Sequence, residues 1–230
     1  MSRQEVDMKF HMKFCFLIFS LCWSLCLQTS ASALSPQPGK NQTLDERVRN
    51  FLDSHQYKWR DMNVPEVDGK VLYDLIVKNR YTKALEIGTS TGHSTIWIAW
   101  ALSKTGGRLI TIEIDERRYM QALANFEESG LSDYIDARLA DAHELVPKLE
   151  GPFDFVFCDA DKDWYKNYLM AVLPKLEQGG CFTAHNVGEG RGSGPWGIGE
   201  FLDYLYSLPN METTIDRSSW SGISISLENS

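Results

Sequence analysis

The chain has 230 residues, a length that suits one domain with a full hydrophobic core. Hydrophobic residues make up 43% and charged residues 23%, which are ordinary values for a globular protein. The formal net charge is −8, and the sequence shows no cluster of lysine or arginine. Because an acidic surface repels phosphate backbones, nucleic acid is not an expected partner.

The N-terminal segment has the three-part layout of a secretory signal peptide. Basic residues precede an apolar run from Phe14 to Leu27, and Ala31-Ser32-Ala33 then supplies a small-x-small cleavage site. The apolar run is too short to span a bilayer comfortably as a mature helix. We therefore expect residues 1–33 to be removed and the protein to be exported, either to a periplasm or to the medium. The alternative is an uncleaved membrane anchor.

Residues 34–42 are rich in Ser, Pro, Gln and Gly, and they are predicted to link this segment to a single domain at 43–230. Of the five cysteines, only Cys158 and Cys181 lie within that domain. They match neither a disulfide framework nor a zinc-type cluster. We place them at opposite ends of two neighbouring strands, so both are predicted to be reduced thiols.

Two helices are predicted at the start of the domain. The first begins at Thr43, which has Glu46 three residues later in capping-box spacing. Asn63-Val64-Pro65 then interrupts the chain, and a second helix follows with apolar residues at helical spacing from Val71 to Ile76.

From Ala84 onward, predicted strands and helices alternate. Repeated βα units predict an α/β fold with a doubly wound sheet. Ligands of such sheets bind at the carboxyl ends of the strands. The strands are predicted at 84–87, 108–114, 134–139, 153–158, 180–184, 212–215 and 222–227, and the helices between them at 94–102, 116–128, 143–149, 165–176 and 199–208.

A glycine motif lies between the first strand and the helix that follows it. Gly88 and Gly92 are spaced as G-x-x-x-G, which differs from the G-x-G-x-x-G of dinucleotide enzymes and from a P-loop. Glycines at these positions let the backbone turn sharply and approach a ligand closely. The alternative is a plain glycine turn with no ligand.

Carboxylates at the next two strand ends suggest which ligand binds there. Glu113 ends the second strand, where it is placed to accept hydrogen bonds from both ribose hydroxyls of an adenosine ligand. Asp141 follows the third strand, where it is placed to accept from an adenine amino group. Three consecutive strand ends with suitable chemistry predict an adenosine-containing cofactor.

Four runs in this order carry a specific resemblance: LEIGTSTGHS, TIEID, LADA and FCDADKDWY. Together they resemble the cation-dependent O-methyltransferases of the caffeoyl-CoA and catechol type, from about Asn63 to the C-terminus. The resemblance implies a class I methyltransferase fold that binds S-adenosylmethionine. Its doubly wound sheet is mostly parallel and has seven strands, the last of them reversed. It places the cofactor at positions matching Glu86, Gly88, Ser94, Glu113 and Ala142, and the predicted cofactor-binding set is completed by Asp141 and Asp159.

The same resemblance assigns chemistry to the end of the fourth strand. It implies that Asp159 is a metal-binding carboxylate and that Lys162 is a catalytic base. A metal ion and a nearby ammonium group both lower the pKa of a hydroxyl, so that its oxygen attacks as an anion. The alternative is an acidic loop that caps the next helix.

The fifth strand departs from the family pattern, in which it ends in Asp-Asn. Here it ends in His185-Asn186, so the implied metal ligands are Asp159, His185 and Asn186. An imidazole suits Zn²⁺, Fe²⁺, Mn²⁺ or Ni²⁺ better than Mg²⁺. Two other roles for His185 stay open: it is the general base of a site without metal, or it is a hydrogen-bonded strand-end residue with no chemistry.

The predicted function is an O-methyltransferase that moves a methyl group from S-adenosylmethionine to a hydroxyl of a small, catechol-like acceptor. The resemblance also implies a homodimer, which is common among the relatives. Two alternatives come from other classes: a nucleotide-linked oxidoreductase, and a non-catalytic binding protein that has kept the cofactor fold.

Overall fold

The computed structural model describes residues 42–187 and 198–229, which contain a seven-stranded sheet in the order β3-β2-β1-β4-β5-β7-β6. β7 runs antiparallel to both of its neighbours, and the other pairs are parallel. The prediction of a doubly wound, mostly parallel sheet with a reversed last strand is confirmed. The strands are β1 Lys83–Ile87, β2 Arg108–Glu113, β3 Ile135–Leu139, β4 Phe153–Cys158, β5 Leu176–His185, β6 Met211–Asp216 and β7 Ile223–Glu228.

Capping residues mark the ends of several helices. The side chain of Thr43 accepts from the backbone of Glu46, whose carboxylate accepts in return from the backbone of Thr43, so the predicted capping box is present. Gly106 and Gly130 end two other helices in the left-handed conformation. The helices are α1 Leu44–His55, α2 Glu66–Asn79, α3 His93–Thr105, α4 Glu116–Ser129, α5 Ala142–Leu145, α6 Tyr165–Val172 and α7 Ile198–Ser207.

Two predicted helices are shorter than expected because each meets a proline. α5 ends at Leu145 and passes into a 3₁₀ turn that contains Pro147. α6 likewise ends at Val172, before a 3₁₀ turn that contains Pro174. Proline lacks the N–H group that an α-helix needs at its interior positions, so the last predicted turn takes another form.

The central strand β4 is buried on both faces, as its uninterrupted apolar sequence predicts. Phe155 and Phe157 pack in one hydrophobic cluster with Leu72 and Ile76 of α2. Val156, which points to the other face, packs in a second cluster with residues of α6 and α7. The sheet is therefore covered on both sides, and its carboxyl edge is left for ligands.

β5 begins at Leu176, four residues earlier than predicted, so Cys181 lies within the strand rather than at its start. Cys181 pairs with Phe155, whereas Cys158 pairs with Ala184. Three residues of offset correspond to about 10 Å, which exceeds the roughly 7 Å that a disulfide tolerates between Cα atoms. Both cysteines are free and buried, which confirms the prediction of reduced thiols.

The compact unit that carries the sheet begins at Gln42, and the described part of it contains no helix long and apolar enough to cross a membrane. The predicted signal peptide at 1–33 lies outside the described residues, as does all of the predicted linker except Gln42.

Candidate functional site

The glycine turn after β1 brings two strand ends into contact. Gly88 has φ +99°, and a Cβ atom there would lie 2.6 Å from the backbone oxygen of Asp159. Gly92 has φ +96°, and a Cβ atom there would lie 2.5 Å from the ring of Phe126. Both positions therefore require glycine for conformation and for space, whether or not a ligand is bound.

Glu86 is fully buried beneath this turn, with both carboxylate oxygens facing hydroxyl groups. One oxygen accepts from Ser94 at 2.6 Å, and the other accepts from Thr95 at 2.5 Å and Thr111 at 2.6 Å. Burial raises the pKa of Glu86 to about 7, because the three hydrogen bonds offset only part of the desolvation. Glu86 and Ser94, both predicted to bind cofactor, thus hold β1, β2 and α3 together.

Glu113 stands at the end of β2 with its carboxylate oriented by backbone N–H groups. One oxygen accepts from Ser90 at 2.7 Å, and the other accepts from Asp115 at 2.9 Å and Ile114 at 3.1 Å. A carboxylate has about four acceptor positions, so one remains for a ligand even with three backbone partners. The side chain is therefore pre-oriented at the strand end where a ribose was predicted.

The third strand end carries Asp141 and Ala142, as the sequence predicts. Asp141 caps α5 by accepting from the backbone of His143 at 2.9 Å. The ring of His143 stacks on Trp164 with 3.8 Å between centroids, and its Nε2 lies 3.0 Å from Asp161. These contacts connect the ends of β3 and β4 through a flat aromatic pair, which the sequence reasoning did not identify.

The segment before α2 covers the glycine turn, and it too was missed. The backbone oxygen of Asp61 accepts from the Ser90 hydroxyl at 3.0 Å, and the Asn63 amide donates to Thr91 at 2.8 Å. The Asp61 carboxylate pairs with Arg118 of α4 at 3.1 Å. The only local signal in the sequence was the Asn63-Val64-Pro65 breaker, which indicated a loop but gave no contact.

A cavity of about 200 Å³ adjoins the glycine turn at its outer side. It lies between the end of α1, the segment before α2 and the start of α3, and none of its lining residues belongs to the ends of β4 or β5. It is lined by Leu52, Gln56, Trp59, Asn63, Val64, Pro65, Glu66 and His93.

Asp159 and Lys162 meet at the end of β4, as the resemblance implies. The Lys162 ammonium donates to Asp159 and to the hydroxyl of Tyr165, both at 2.7 Å, and to the backbone of Ala160 at 3.3 Å. Burial acts to raise the pKa of Asp159, but the contact with His185 and the charge of Lys162 outweigh it and lower that pKa. The carboxylate is therefore ionised and lies between two cationic groups.

His185 lies at the end of β5 between two carboxylates. Its Nε2 is 2.7 Å from the carboxylate of Asp68 of α2. Its Nδ1 is 3.2 Å from the carboxylate of Asp159, which is within ion-pair distance, but the two groups are not aligned for a hydrogen bond. The side chain of Asp68 also accepts from Ser219 at 2.8 Å. Burial alone would lower the pKa of His185, yet the two carboxylates raise it to about 9.

Asp68 is the functional residue that the sequence reasoning missed most completely. It is 1% exposed and lies on the buried face of α2, in helical register with Leu72 and Ile76. A charged residue in a buried helical stripe is rare unless it is paired, and that register was the available signal. Nothing in the sequence indicated that its partner would be His185, 117 positions away.

Two members of the predicted ligand set, Asp159 and His185, lie together at the carboxyl edge of the sheet, and Asn186 follows His185 in the chain. Nε2 of His185 contacts Asp68 and Nδ1 has no hydrogen-bond partner, so in the neutral ring Nδ1 would keep a lone pair for a metal beside Asp159. Among the described residues, no group of three or more His, Cys, Asp or Glu side chains is arranged to hold a metal ion. The metal-ligand and general-base roles of His185 therefore stay predictions, and its contact with Asp68 is what the structure shows.

Known sequences that are similar to this chain include several O-methyltransferases. A sequence profile described as O-methyltransferase matches residues 35–190. The chain is 38% identical over 130 residues to a catechol O-methyltransferase of Niastella koreensis, an alignment that covers 55% of this chain and 58% of that protein. It is 30% identical over 166 residues to caffeoyl-CoA O-methyltransferase 1 of Eucalyptus globulus, covering 70% and 64%. The chain thus spans less than two thirds of the length of these relatives.

Solved structures of O-methyltransferases are also similar to this chain, and the similarity covers a larger share of each chain. The O-methyltransferase TomG from Streptomyces achromogenes, in complex with SAM, superposes with a TM-score of 0.68 and 27% identity, covering 81% of this chain and 91% of that one. An O-methyltransferase from Bacillus cereus in complex with SAH superposes with a TM-score of 0.66 and 27% identity, covering 84% and 94%.

Proposed function

The chain belongs to the O-methyltransferase family, and we propose that it transfers a methyl group from S-adenosylmethionine to a hydroxyl of a small acceptor. The observation that carries the proposal is the carboxyl edge of the sheet. Glu113 lies there at the end of β2, and the Asp159–Lys162 pair lies there at the end of β4. β1 and its glycine turn separate the two groups.

The described residues fit an adenosine-containing cofactor. Glu113 offers a pre-oriented acceptor for a ribose hydroxyl, and Asp141 offers an exposed carboxylate for an adenine amino group. The stacked rings of His143 and Trp164 add a flat apolar surface beside Asp141. Glu86 supports the site from beneath, because its oxygens are engaged with hydroxyl groups of the protein. When bound, S-adenosylmethionine supplies an electrophilic methyl group on a sulfonium.

On the acceptor side, the protein's contribution is to stabilise the negative charge that forms on the acceptor oxygen. A hydroxyl oxygen becomes a strong nucleophile when its proton is released, and a nearby cation stabilises the resulting anion. Lys162 is the cation placed to do this, since Asp159 and Tyr165 hold its ammonium group at the end of β4. The proton released by the acceptor passes to water.

For the acceptor we propose a small aromatic hydroxyl compound such as a catechol. Relatives named for catechol and caffeoyl-CoA support this class. Trp220 supports it as well, because it is 83% exposed and follows Ser219, which contacts Asp68. An exposed aromatic side chain next to Ser219 in the chain offers a surface on which a planar acceptor can stack.

Binding and turnover together test this function against its two alternatives. Isothermal titration should show binding of S-adenosylmethionine and no binding of NAD. Incubation with methyl-labelled cofactor and a panel of catechols should transfer the label to an acceptor. Preferential binding of NAD would support an oxidoreductase. Cofactor binding without transfer to any hydroxyl acceptor would support a non-catalytic binding protein.

Two further proposals concern partners and location. We expect two copies of the chain to pair, as the resemblance implies, and analytical ultracentrifugation of the purified protein would measure this. Export of the mature domain remains a proposal that rests on residues 1–33.

A further inference from the structure

The carboxylate of Glu113 is part of a closed ring of hydrogen bonds that also contains Asp61. We propose that Asp61 is a positioning residue for the cofactor and that it acts through Glu113. Its ion pair with Arg118 holds the segment before α2 against the glycine turn, and Ser90 of that turn donates to Glu113. This inference rests on the proposed function, and it extends that function to the residues that orient the ribose acceptor.

One side of the ring runs through the glycine turn. The hydroxyl of Ser90 donates to the backbone oxygen of Asp61 at 3.0 Å, and the backbone N–H of Ser90 donates to Glu113 at 2.7 Å. Ser90 has φ +49°, a left-handed conformation that is uncommon for a residue with a side chain. Such a conformation persists only when its surroundings hold it, so the contact with Asp61 helps to keep this N–H group directed at Glu113.

The other side of the ring runs through the start of α4. The carboxylate of Asp61 accepts from the Nε and Nη2 atoms of Arg118, both at 3.1 Å, which is a bidentate, charge-assisted contact. The backbone N–H of Arg118 donates to Asp115 at 2.8 Å, and the backbone N–H of Asp115 donates to Glu113 at 2.9 Å. Asp61 is therefore linked to both carboxylate oxygens of Glu113, to one from each side of the ring.

The ion pair between Asp61 and Arg118 is the link between these two sides. Their side chains are 30% and 23% exposed, so salt screens this pair less than it screens a fully exposed one. Arg117 adds a more exposed contact to the same carboxylate at 3.0 Å. Without the pair, the backbone oxygen of residue 61 is no longer held over Ser90. Glu113 then takes more orientations, and a cofactor must restrict them when it binds, which weakens binding.

Cofactor affinity is the direct test. Asp61→Asn removes the charge of the pair but keeps the shape of the side chain and the backbone oxygen. In isothermal titration of the full chain, this variant should bind S-adenosylmethionine and S-adenosylhomocysteine about three- to tenfold more weakly than the native protein. Asp61→Glu keeps the charge and should recover part of the loss. Unchanged affinity in a folded Asp61→Asn protein would overturn the proposal.

A cycle of variants distinguishes positioning from a purely structural role. If Asp61 acts through Glu113, then Asp61→Asn should cost little further affinity in a protein that already carries Glu113→Ala. Equal fold-losses with and without Glu113→Ala would show that Asp61 acts independently of Glu113, and this would overturn the proposal.

Asp45→Asn is the matched control for these measurements. Asp45 pairs with Lys104 and joins α1 to α3, so this variant also removes one carboxylate from an ion pair between two elements. It should lower the stability of the protein and leave the affinity for S-adenosylmethionine unchanged. An equal loss of affinity in Asp45→Asn would assign the effect to general destabilisation and would count against Asp61.

Hydrogen exchange at the Ser90 amide tests the same inference without an acceptor or methyl transfer. This amide should exchange several-fold faster in Asp61→Asn than in the native protein or in Asp45→Asn, and equal rates in all three would overturn the proposal. The binding data separate the inference from the proposed function. A native protein that binds S-adenosylmethionine but methylates no hydroxyl would contradict the proposed function alone, and the affinities of the variants would still decide the role of Asp61.

Discussion

At the scale of single residues, Glu113 is the carboxylate on which cofactor binding should depend most. Its three backbone partners fix it at the end of β2. Hydrogen bonds to a charged group contribute roughly 1.5–3 kcal/mol, so Glu113→Ala should weaken S-adenosylmethionine binding by about ten- to a hundredfold. Isothermal titration would measure this, with the exposed Glu116→Ala as control. Unchanged affinity in a folded Glu113→Ala protein would contradict the assignment.

Glu86 should make the stability of the protein depend on pH. Burial raises its pKa to about 7, above the value of about 4.5 for an exposed glutamate. A raised folded-state pKa means that its contribution to stability is complete below pH 4.5 and is lost as the pH rises through 7. The free energy of unfolding should therefore fall by roughly 3 kcal/mol over that range, relative to Glu86→Gln. Urea titrations of both proteins at several pH values would measure the difference, and parallel curves would contradict it.

Residues at strand ends could be located from the sequence, whereas their partners could not. Glu113, Asp141 and Asp159 each follow an apolar run, and the end of a parallel strand is where ligands bind. Asp68 belongs to a helix before the sheet, and its contact with His185 arises only when α2 packs across β5. Local pattern carries no information about such a pairing, so the contact between Asp68 and His185 was not predictable.

At the scale of elements, the contact between β1 and β4 should depend on the glycine that joins them. Gly88→Ala combines a positive φ with a Cβ atom 2.6 Å from the Asp159 backbone, whereas Gly106→Ala has a positive φ and open space. The φ strain alone costs roughly 1–2 kcal/mol. Gly106→Ala should therefore lose about that much stability, and Gly88→Ala should lose clearly more, as measured by chemical denaturation. Equal losses would contradict the role assigned to the close approach.

The two buried cysteines give a test of the pairing between β4 and β5. Burial raises the pKa of Cys181 to about 12, and it raises that of Cys158 still further. The folded protein should therefore resist alkylation at both thiols. After denaturation without reductant, peptides that contain Cys158 and Cys181 should both carry the label in mass spectrometry. A disulfide-linked peptide would contradict the register of these strands.

The order and type of the helices and strands could be predicted from the sequence more reliably than their boundaries. Apolar runs and glycine stops indicated all seven strands, and the resemblance implied the reversal of the last one. The start of β5 was misplaced because Gly179 and Gly180 resemble a turn, yet they lie within the strand. The pairing of β4 with β5 shifts register between Phe153 and Phe155, an irregularity that tolerates glycine.

At the scale of the whole molecule, the signal peptide is the prediction with the largest consequence. If residues 1–33 are removed, N-terminal sequencing of the protein isolated from its source should begin at Leu34. Retention of the apolar run together with recovery in the membrane fraction would support the anchor instead. A soluble protein that retains residues 1–33 would contradict both.

The central claim is that this edge of the sheet transfers a methyl group to an acceptor oxygen. The most direct measurement follows catechol and S-adenosylmethionine in one reaction and quantifies methylated catechol and S-adenosylhomocysteine by mass spectrometry. The two products should appear in equal amounts, and Lys162→Met should lower their rate of formation by about 10²–10³ without weakening cofactor binding. S-adenosylhomocysteine without methylated product, or equal rates in native and Lys162→Met proteins, would contradict the account.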